Sequence, residues 1–255
     1  MTPAALPLDG RTILVTREVA PHGPLEEILN RVGARVVGVP FSRTLPAQNP
    51  ESLARAVAAL SSYDWIALTS ARAVASLGDL LPRAFPSNGV SWAAVGPATA
   101  EALRTSLGRE PHLISPVSDA ATLARELARV GARRVLFPCA ADAGSDLEDG
   151  LRASGIDVDR VEAYRVVPAP PPRERLLPPD GRDAWDVVVF TSRLAVEVFY
   201  DLFAPNSLPS VRRFAVLGRS AEVAIRERNN TAALIVPPRP SMSELAECIV
   251  RELGR

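Results

Sequence analysis

Apolar residues in this chain come in short unbroken runs, and helical spacing fills the gaps between them. Examples are ILV at 13–15, WIAL at 65–68, VVVF at 187–190 and FAV at 214–216. Runs that are apolar at every position fit parallel strands covered on both faces, because a half-exposed strand would alternate. Strands are predicted over 12–16, 35–39, 64–69, 91–95 and 112–114, and again over 133–137, 157–162, 186–191, 213–217 and 232–236. Helices are predicted near 23–32, 71–81, 97–107 and 119–130, with an extra one near 51–61. Strand alternating with helix is the doubly wound α/β class, and here the series runs twice.

The two series share their text. DWIALTSARAV at 64–74 returns as DVVVFTSRLAV at 186–196, an offset of 122 positions that needs no gaps elsewhere. At that offset SWAAVGPATAEAL (91–103) lies over RRFAVLGRSAEVAI (212–225), with Gly96 on Gly218 and Leu123 on Leu245. TILVTR (12–17) lies over RVLFPC (134–139), with Leu25-Glu26 on Leu147-Glu148 and Gly33 on Gly155. A register held over the whole length reads as a duplicated unit. The copies part at one place: PESLARAVAAL in the first faces PAPPPRERLLPPDGRD in the second, where the prolines forbid a helix. The stretches before it, 36–46 and 158–168, read as extended connectors.

Composition narrows the chemistry. A chain of 255 residues, 47% hydrophobic, suits two modest cores better than one. Its formal charge is zero, so no global field draws nucleic acid or an acidic membrane. No apolar run spans a bilayer, the N-terminal stretch lacks a signal-peptide layout, and two cysteines make no disulfide scaffold, so a soluble cytoplasmic protein is expected. All 29 basic residues are arginine. That excludes a Schiff-base lysine and a Walker A loop. No glycines stand at G-x-G spacing. His22, His112, Cys139 and Cys248 lack metal-ligand spacing, so no metal site is expected, and two histidines leave little scope for a triad.

What remains is hydroxyls, backbone amides, carboxylates and arginine. In open parallel sheets, ligands lie beyond the carboxyl ends of the strands, where helix starts present free N–H groups. Thr69-Ser70 and Thr191-Ser192 stand at two such strand-to-helix joints; Gly96 with Thr99, and Gly218 with Ser220, stand at two more. In each, a hydroxyl can cap the helix and a glycine permits a tight turn. Plain capping explains any one of them; four together suggest two rims of anion-binding donors facing each other across a cleft.

In order and spacing these pieces resemble the uroporphyrinogen-III synthase family, over nearly the whole chain. The likeness is carried by ILVTRE, DWIALTSARAV followed by AAVGPATAEAL, then RVLFPCA, GLRASGIDVDRVEAYRVVP, DVVVFTSRLAV and FAVLGRSAEVAI. The resemblance implies two flavodoxin-like, doubly wound α/β domains joined by a two-stranded connector. Residues 1–37 with 173–255 would form one domain, 48–160 the other, and 38–47 with 161–172 the connectors; a hinge is expected of the Pro-rich 168–182 stretch and the connectors, so that a flexible substrate can enter. Periodicity alone would cut the chain near 122.

The implied reaction closes linear hydroxymethylbilane into uroporphyrinogen III, with loss of water and inversion of the last pyrrole ring and without cofactor or metal. The terminal hydroxyl leaves, an azafulvene forms, and a spiro intermediate fragments and recloses inverted. The uncatalysed closure gives no inversion, so the protein mainly positions one conformer. Tyr164, in VEAYRVVP, matches the tyrosine that the family places at the cleft to assist hydroxyl departure. Thr69, Ser70, Thr99, Thr191, Ser192 and Ser220 match its cleft hydroxyls. Serine at 220, Arg219 and Arg193 depart from the commoner residues. Arg193 and Arg17 read either as partners of substrate carboxylates or as surface charges. The expected partner is the bilane alone, taken up by a monomer with transient hand-over from hydroxymethylbilane synthase, and neither nucleic acid nor membrane. The competing reading is a non-catalytic two-lobed binding or regulatory protein for a small polyanion.

Overall fold

The computed structural model describes residues 6–20, 22–81, 89–202 and 210–254, so parts of the expected domain spans (1–5, 21, 82–88, 203–209 and 255) lie outside the described residues. In chain order the elements are β1 (Thr12–Val15), α1 (Pro24–Arg31), β2 (Arg35–Gly38), β3 (Ser42–Pro46), α2 (Pro50–Ala58), β4 (Trp65–Leu68), α3 (Ala71–Gly78), β5 (Ser91–Ala94) and α4 (Pro97–Leu107). There follow β6 (Leu113–Ile114), α5 (Ala120–Arg129), β7 (Arg134–Ala140), α6 (Asp146–Ala153), β8 (Asp157–Pro168), β9 (Ala184–Phe190), α7 (Arg193–Leu202), β10 (Ser210–Val216), α8 (Arg219–Arg228), β11 (Leu234–Ile235) and α9 (Met242–Leu253).

Contacts divide the chain into two compact units, Met1–Arg43 with Val167–Arg255, and Thr44–Val166. The first holds a sheet in the order β11-β10-β9-β1-β2, with these neighbours paired in parallel. The second holds β3-β8-β7-β4-β5-β6, parallel from β8 to β6. The registers coincide at the offset of 122: Ile13 pairs with Val187 and Val135 with Trp65, while Arg213 pairs with Val187 and Ser91 with Trp65. The sequence repeat is thus a repeat of pairing, with each sheet drawing strands from both copies.

Side-chain alternation explains the unbroken apolar runs. Leu14, Val188 and Phe190 enter one core of the first unit, while Ile13, Val15, Val187 and Val189 enter the core on the other face. In the second unit Ile66 and Leu68 face one core and Ala67 the other. The Pro-rich stretch contains two 3-10 turns, Arg173–Leu176 and Pro179–Gly181, in place of an α-helix. It is anchored by Leu176, which is fully buried and whose carbonyl accepts from Trp185 Nε1 at 2.8 Å.

The aspartates that head the repeated text work at the opposite, amino-terminal edge. Asp64 accepts from the amides of Arg133 and Arg134 at 2.8 and 2.7 Å. Asp186 accepts from the Thr12 amide and Arg11 Nη1, both at 2.9 Å, with Arg212 at 3.6 Å. Each closes the start of its sheet by tying the third strand to the first.

Candidate functional site

The side chains singled out from the sequence stand at the carboxyl ends of the strands in their own unit. In the second unit β4 ends at Leu68, and Thr69 and Ser70, both half-buried, lead into α3. Ser70 has extended backbone and its Oγ accepts from the Ala73 amide at 3.1 Å, the geometry of an N-cap. The same Oγ lies 2.9 Å from the Tyr164 hydroxyl, where either oxygen can donate.

Tyr164 reaches that point through an irregularity in β8. Cys139 pairs with Glu162 but the next residue, Ala140, pairs with Tyr164, so β8 carries one extra residue at Ala163. Strict alternation would turn neighbours to opposite faces; the bulge turns Ala163 and Tyr164 into the same core. Both line a cavity of about 470 Å³ beside α3, with Thr44, Pro46, Arg72 and Ser76. Arg72 was missed by sequence reasoning. Among the described residues its guanidinium has no hydrogen-bond or ion-pair partner, and the available signal was the arginine of TSARAV, which Leu194 replaces in the other copy.

Two glycines do less than expected of them. Gly96 (φ −179°) and Gly218 (φ −155°) cap α4 and α8 in extended backbone, which any residue adopts, and neither helix start has a side-chain cap. At Gly96 the requirement is steric, since a Cβ would collide with Ser118 Oγ, whereas at Gly218 the nearest atom is Pro240 Cβ at 3.9 Å. Thr99 is buried within the first turn of α4, and Ser220 is exposed in that of α8. A cavity of about 780 Å³ adjoins the second joint, lined by Gly218, Arg219, Glu222, Arg226, Pro237 and Pro240.

In the first unit Ser192 caps α7 through the Ala195 amide at 3.3 Å, and Thr191 is half-buried. Arg193 is held by two carboxylates, Glu197 at 2.7 Å and Glu227 at 2.8 Å; the bond to Glu227 first, then that to Glu197, raises its pKa. Arg17, just past β1, gives Nη1 to Glu26 at 2.8 Å and to the Glu18 carbonyl at 2.7 Å. Glu26 is wholly buried and also accepts from the Ala20 amide at 3.3 Å, so it fastens the loop that follows β1. Among the described residues, Arg17 Nε and Glu26 Oε2 are buried without a partner.

The second unit solves the same problem differently. Glu148, the counterpart of Glu26, is met by Arg160 at 3.3 Å and Arg152 at 2.6 Å. Arg160 stands 122 positions after Gly38, and Cys139 stands 122 after Arg17. The arginine has changed strands. Gly38 needs its missing Cβ, because one would sit 2.7 Å from the Val19 amide and 2.8 Å from the Arg17 carbonyl. Burial raises the pKa of the Cys139 thiol against the opposing pull of Arg160, so it rests as a neutral core residue.

Two doubly wound units, each with helix starts along its carboxyl edge and one with a tyrosine against a serine N-cap, define a two-domain α/β protein. Residues 23–247 match the sequence model described as uroporphyrinogen-III synthase HemD. A curated uroporphyrinogen-III synthase of Synechococcus elongatus is 30% identical over 210 residues, 80% of this chain and 78% of the relative. Among solved structures, the Helicobacter pylori uroporphyrinogen-III synthetase shares the fold with a TM-score of 0.62 at 15% identity, over 95% of this chain and 99% of that one. A mutant uroporphyrinogen III synthase of Thermus thermophilus gives 0.58 at 19%, over 96% and 99%. The chain belongs to the uroporphyrinogen-III synthase family, and its activity is that of a cyclising lyase in haem biosynthesis. None of the described helices is long and apolar enough to cross a membrane.

Proposed function

We propose that the second unit is where water leaves hydroxymethylbilane, with Tyr164 as the proton donor. The observation that carries this reading is the bulge that turns Tyr164 into the cavity beside α3, its hydroxyl 2.9 Å from Ser70 Oγ. A phenol there gives its proton to the departing hydroxyl as the C–O bond breaks, a step general acids accelerate by about 10²-fold or more. The pyrrole nitrogen supplies the electron pair that makes the azafulvene. The carbon proton lost when the macrocycle closes returns to the phenolate, and the balance is one water released.

In this reading the helix starts at Thr69-Ser70, Gly96-Thr99, Thr191-Ser192 and Gly218-Ser220 offer N–H groups to the acetate and propionate carboxylates, as helix N-termini do for anions. Arg17, fixed through Nη1 by Glu26 and with Nη2 4.0 Å from Met242 Sδ, offers the exposed part of its guanidinium to one more carboxylate. Arg193 ties α7 to α8, because its carboxylate partners are Glu197 on its own helix and Glu227 on the next. Holding one folded conformer through closure supplies the inversion, a positioning effect.

The proposal extends to a cytoplasmic monomer that receives its self-closing substrate by transient hand-over from hydroxymethylbilane synthase. The test is the isomer made from fresh hydroxymethylbilane, read after oxidation to uroporphyrin. Type III is expected; type I alone would leave only a binding role for the cavity.

A further inference from the structure

We propose that Ser70 is a positioning residue for Tyr164, its hydroxyl donating to the tyrosine oxygen and so leaving the tyrosine's own proton free for the departing hydroxyl. The inference deepens the function proposed above and rests on Tyr164 as proton donor. It begins from an ambiguity, since in the 2.9 Å pair either oxygen can be the donor.

The surroundings resolve the direction. Ser70 Oγ already accepts from the Ala73 amide at 3.1 Å, in the first turn of α3. An oxygen that accepts one bond gives its own proton more readily to the next acceptor, because bonds in a chain polarise one another. The chain then runs from the Ala73 N–H to Ser70 Oγ, from the Ser70 O–H to Tyr164 Oη, and from the Tyr164 O–H into the cavity. Its head is the amino end of α3, where aligned peptide dipoles place partial positive charge. When the tyrosine proton leaves with the departing oxygen, the phenolate keeps the serine's hydrogen bond and lies on the favourable side of that dipole. Reprotonation from the closing carbon restores the starting state, so no co-reactant is needed.

The other copy of the repeat sets the contrast. Ser192 makes the equivalent cap, and the position 122 residues before Tyr164 is Ser42, which has no ring to offer. Capping alone therefore does not require the tyrosine. Among the described residues, only the second unit joins a serine N-cap to a phenol.

The experiment measures kcat and KM for hydroxymethylbilane, with thermal midpoints, in the full-length protein carrying Ser70→Ala, Ser70→Gly, Ser70→Thr, Tyr164→Phe and the Ala/Phe double change. Ser70→Ala is expected to lower kcat about tenfold with KM within about twofold, part of the general-acid contribution. Ser70→Gly, which costs a helix start only a few tenths of a kcal/mol, keeps the fold and shows the same kcat loss. Ser70→Thr retains the hydroxyl and restores kcat to within about threefold of wild type. The double variant is no slower than Tyr164→Phe alone, because both changes break one chain. Asp119→Ala, which removes the cap that Asp119 gives the Thr122 amide at 2.7 Å, lowers the midpoint and leaves kcat alone. Wild-type kcat in Ser70→Gly, or a double variant slowed by the product of the two single factors, overturns the proposal. A wild-type protein that yields type I alone refutes the function on which it rests, a separate readout.

Discussion

Thr69-Ser70 and Thr191-Ser192 are the same two residues at the same joint of two sheets whose registers coincide, yet they face different surroundings. Ser70 caps its helix and touches a tyrosine; Ser192, among the described residues, only caps. The difference lies in the second strand of each series. β2 ends at Gly38, whereas its counterpart β8, twelve residues long, continues past the equivalent point and bulges at Ala163, which brings a ring to the cap. Duplication supplies two equivalent helix starts, and the longer strand makes one of them suited to chemistry. Under the proposed function, a substrate with one departing hydroxyl and many carboxylates would call for that asymmetry: many helix starts for the anions and a single acid.

Breaking the tyrosine should have the largest effect. Tyr164→Phe is expected to lower kcat about a hundredfold, roughly 2.7 kcal/mol of barrier, while the product remains type III because positioning is intact. Progress curves with isomer analysis check both parts.

Next come the two glutamates that fasten the strand ends. Glu26→Gln leaves the Arg17 charge against a neutral group at a wholly buried position and should cost about 1–3 kcal/mol in urea unfolding at pH 7. Glu148→Gln should cost less, about 1 kcal/mol or under, because its carboxylate is partly exposed and one of its two arginines, Arg152, is mostly in water. Equal losses would remove the distinction between the sites.

A further effect sits at the opposite edge and depends on pH. Burial pushes the Asp186 carboxyl up, but the Thr12 amide, Arg11 and Arg212 outweigh it and hold the pKa below the usual carboxylate value. A depressed folded-state pKa means stability that is present above the unfolded value of about 4 and lost as pH falls through the folded one. Asp186→Asn should therefore cost about 1–2 kcal/mol at pH 7, and its gap from wild type should close on acidification below about pH 4. Unfolding midpoints from pH 7 to pH 3 measure the limb.

Much of this architecture was legible in the text. The unbroken apolar runs predicted parallel strands, and the shared offset predicted a duplicated pairing, which the registers of Ile13 with Val187 and Val135 with Trp65 reproduce. Prolines at 168–179 correctly forbade an α-helix. The bulge was not legible, because an extra residue in a strand leaves no mark on composition or local spacing, so Ala163 and Tyr164 could not be assigned to one face. Glu26 counted only as a marker of the repeat, since nothing local reveals that the arginine meeting it follows β1 in one copy and that its counterpart comes from β8 in the other. The aspartates at 64 and 186 carried a signal that went unused: a charge kept at the head of both copies, beside a buried strand, points to backbone amides in need of an acceptor.

The most direct measurement of the asymmetry between the joints is the ratio of kcat values of Ser192→Ala and Ser70→Ala on fresh hydroxymethylbilane. Both variants lose a serine cap worth about 1 kcal/mol of stability. The account predicts a Ser192→Ala enzyme at least about five times faster than Ser70→Ala, since only Ser70 serves the general acid. Equal turnover in the two variants, or a slower Ser192→Ala, would contradict it.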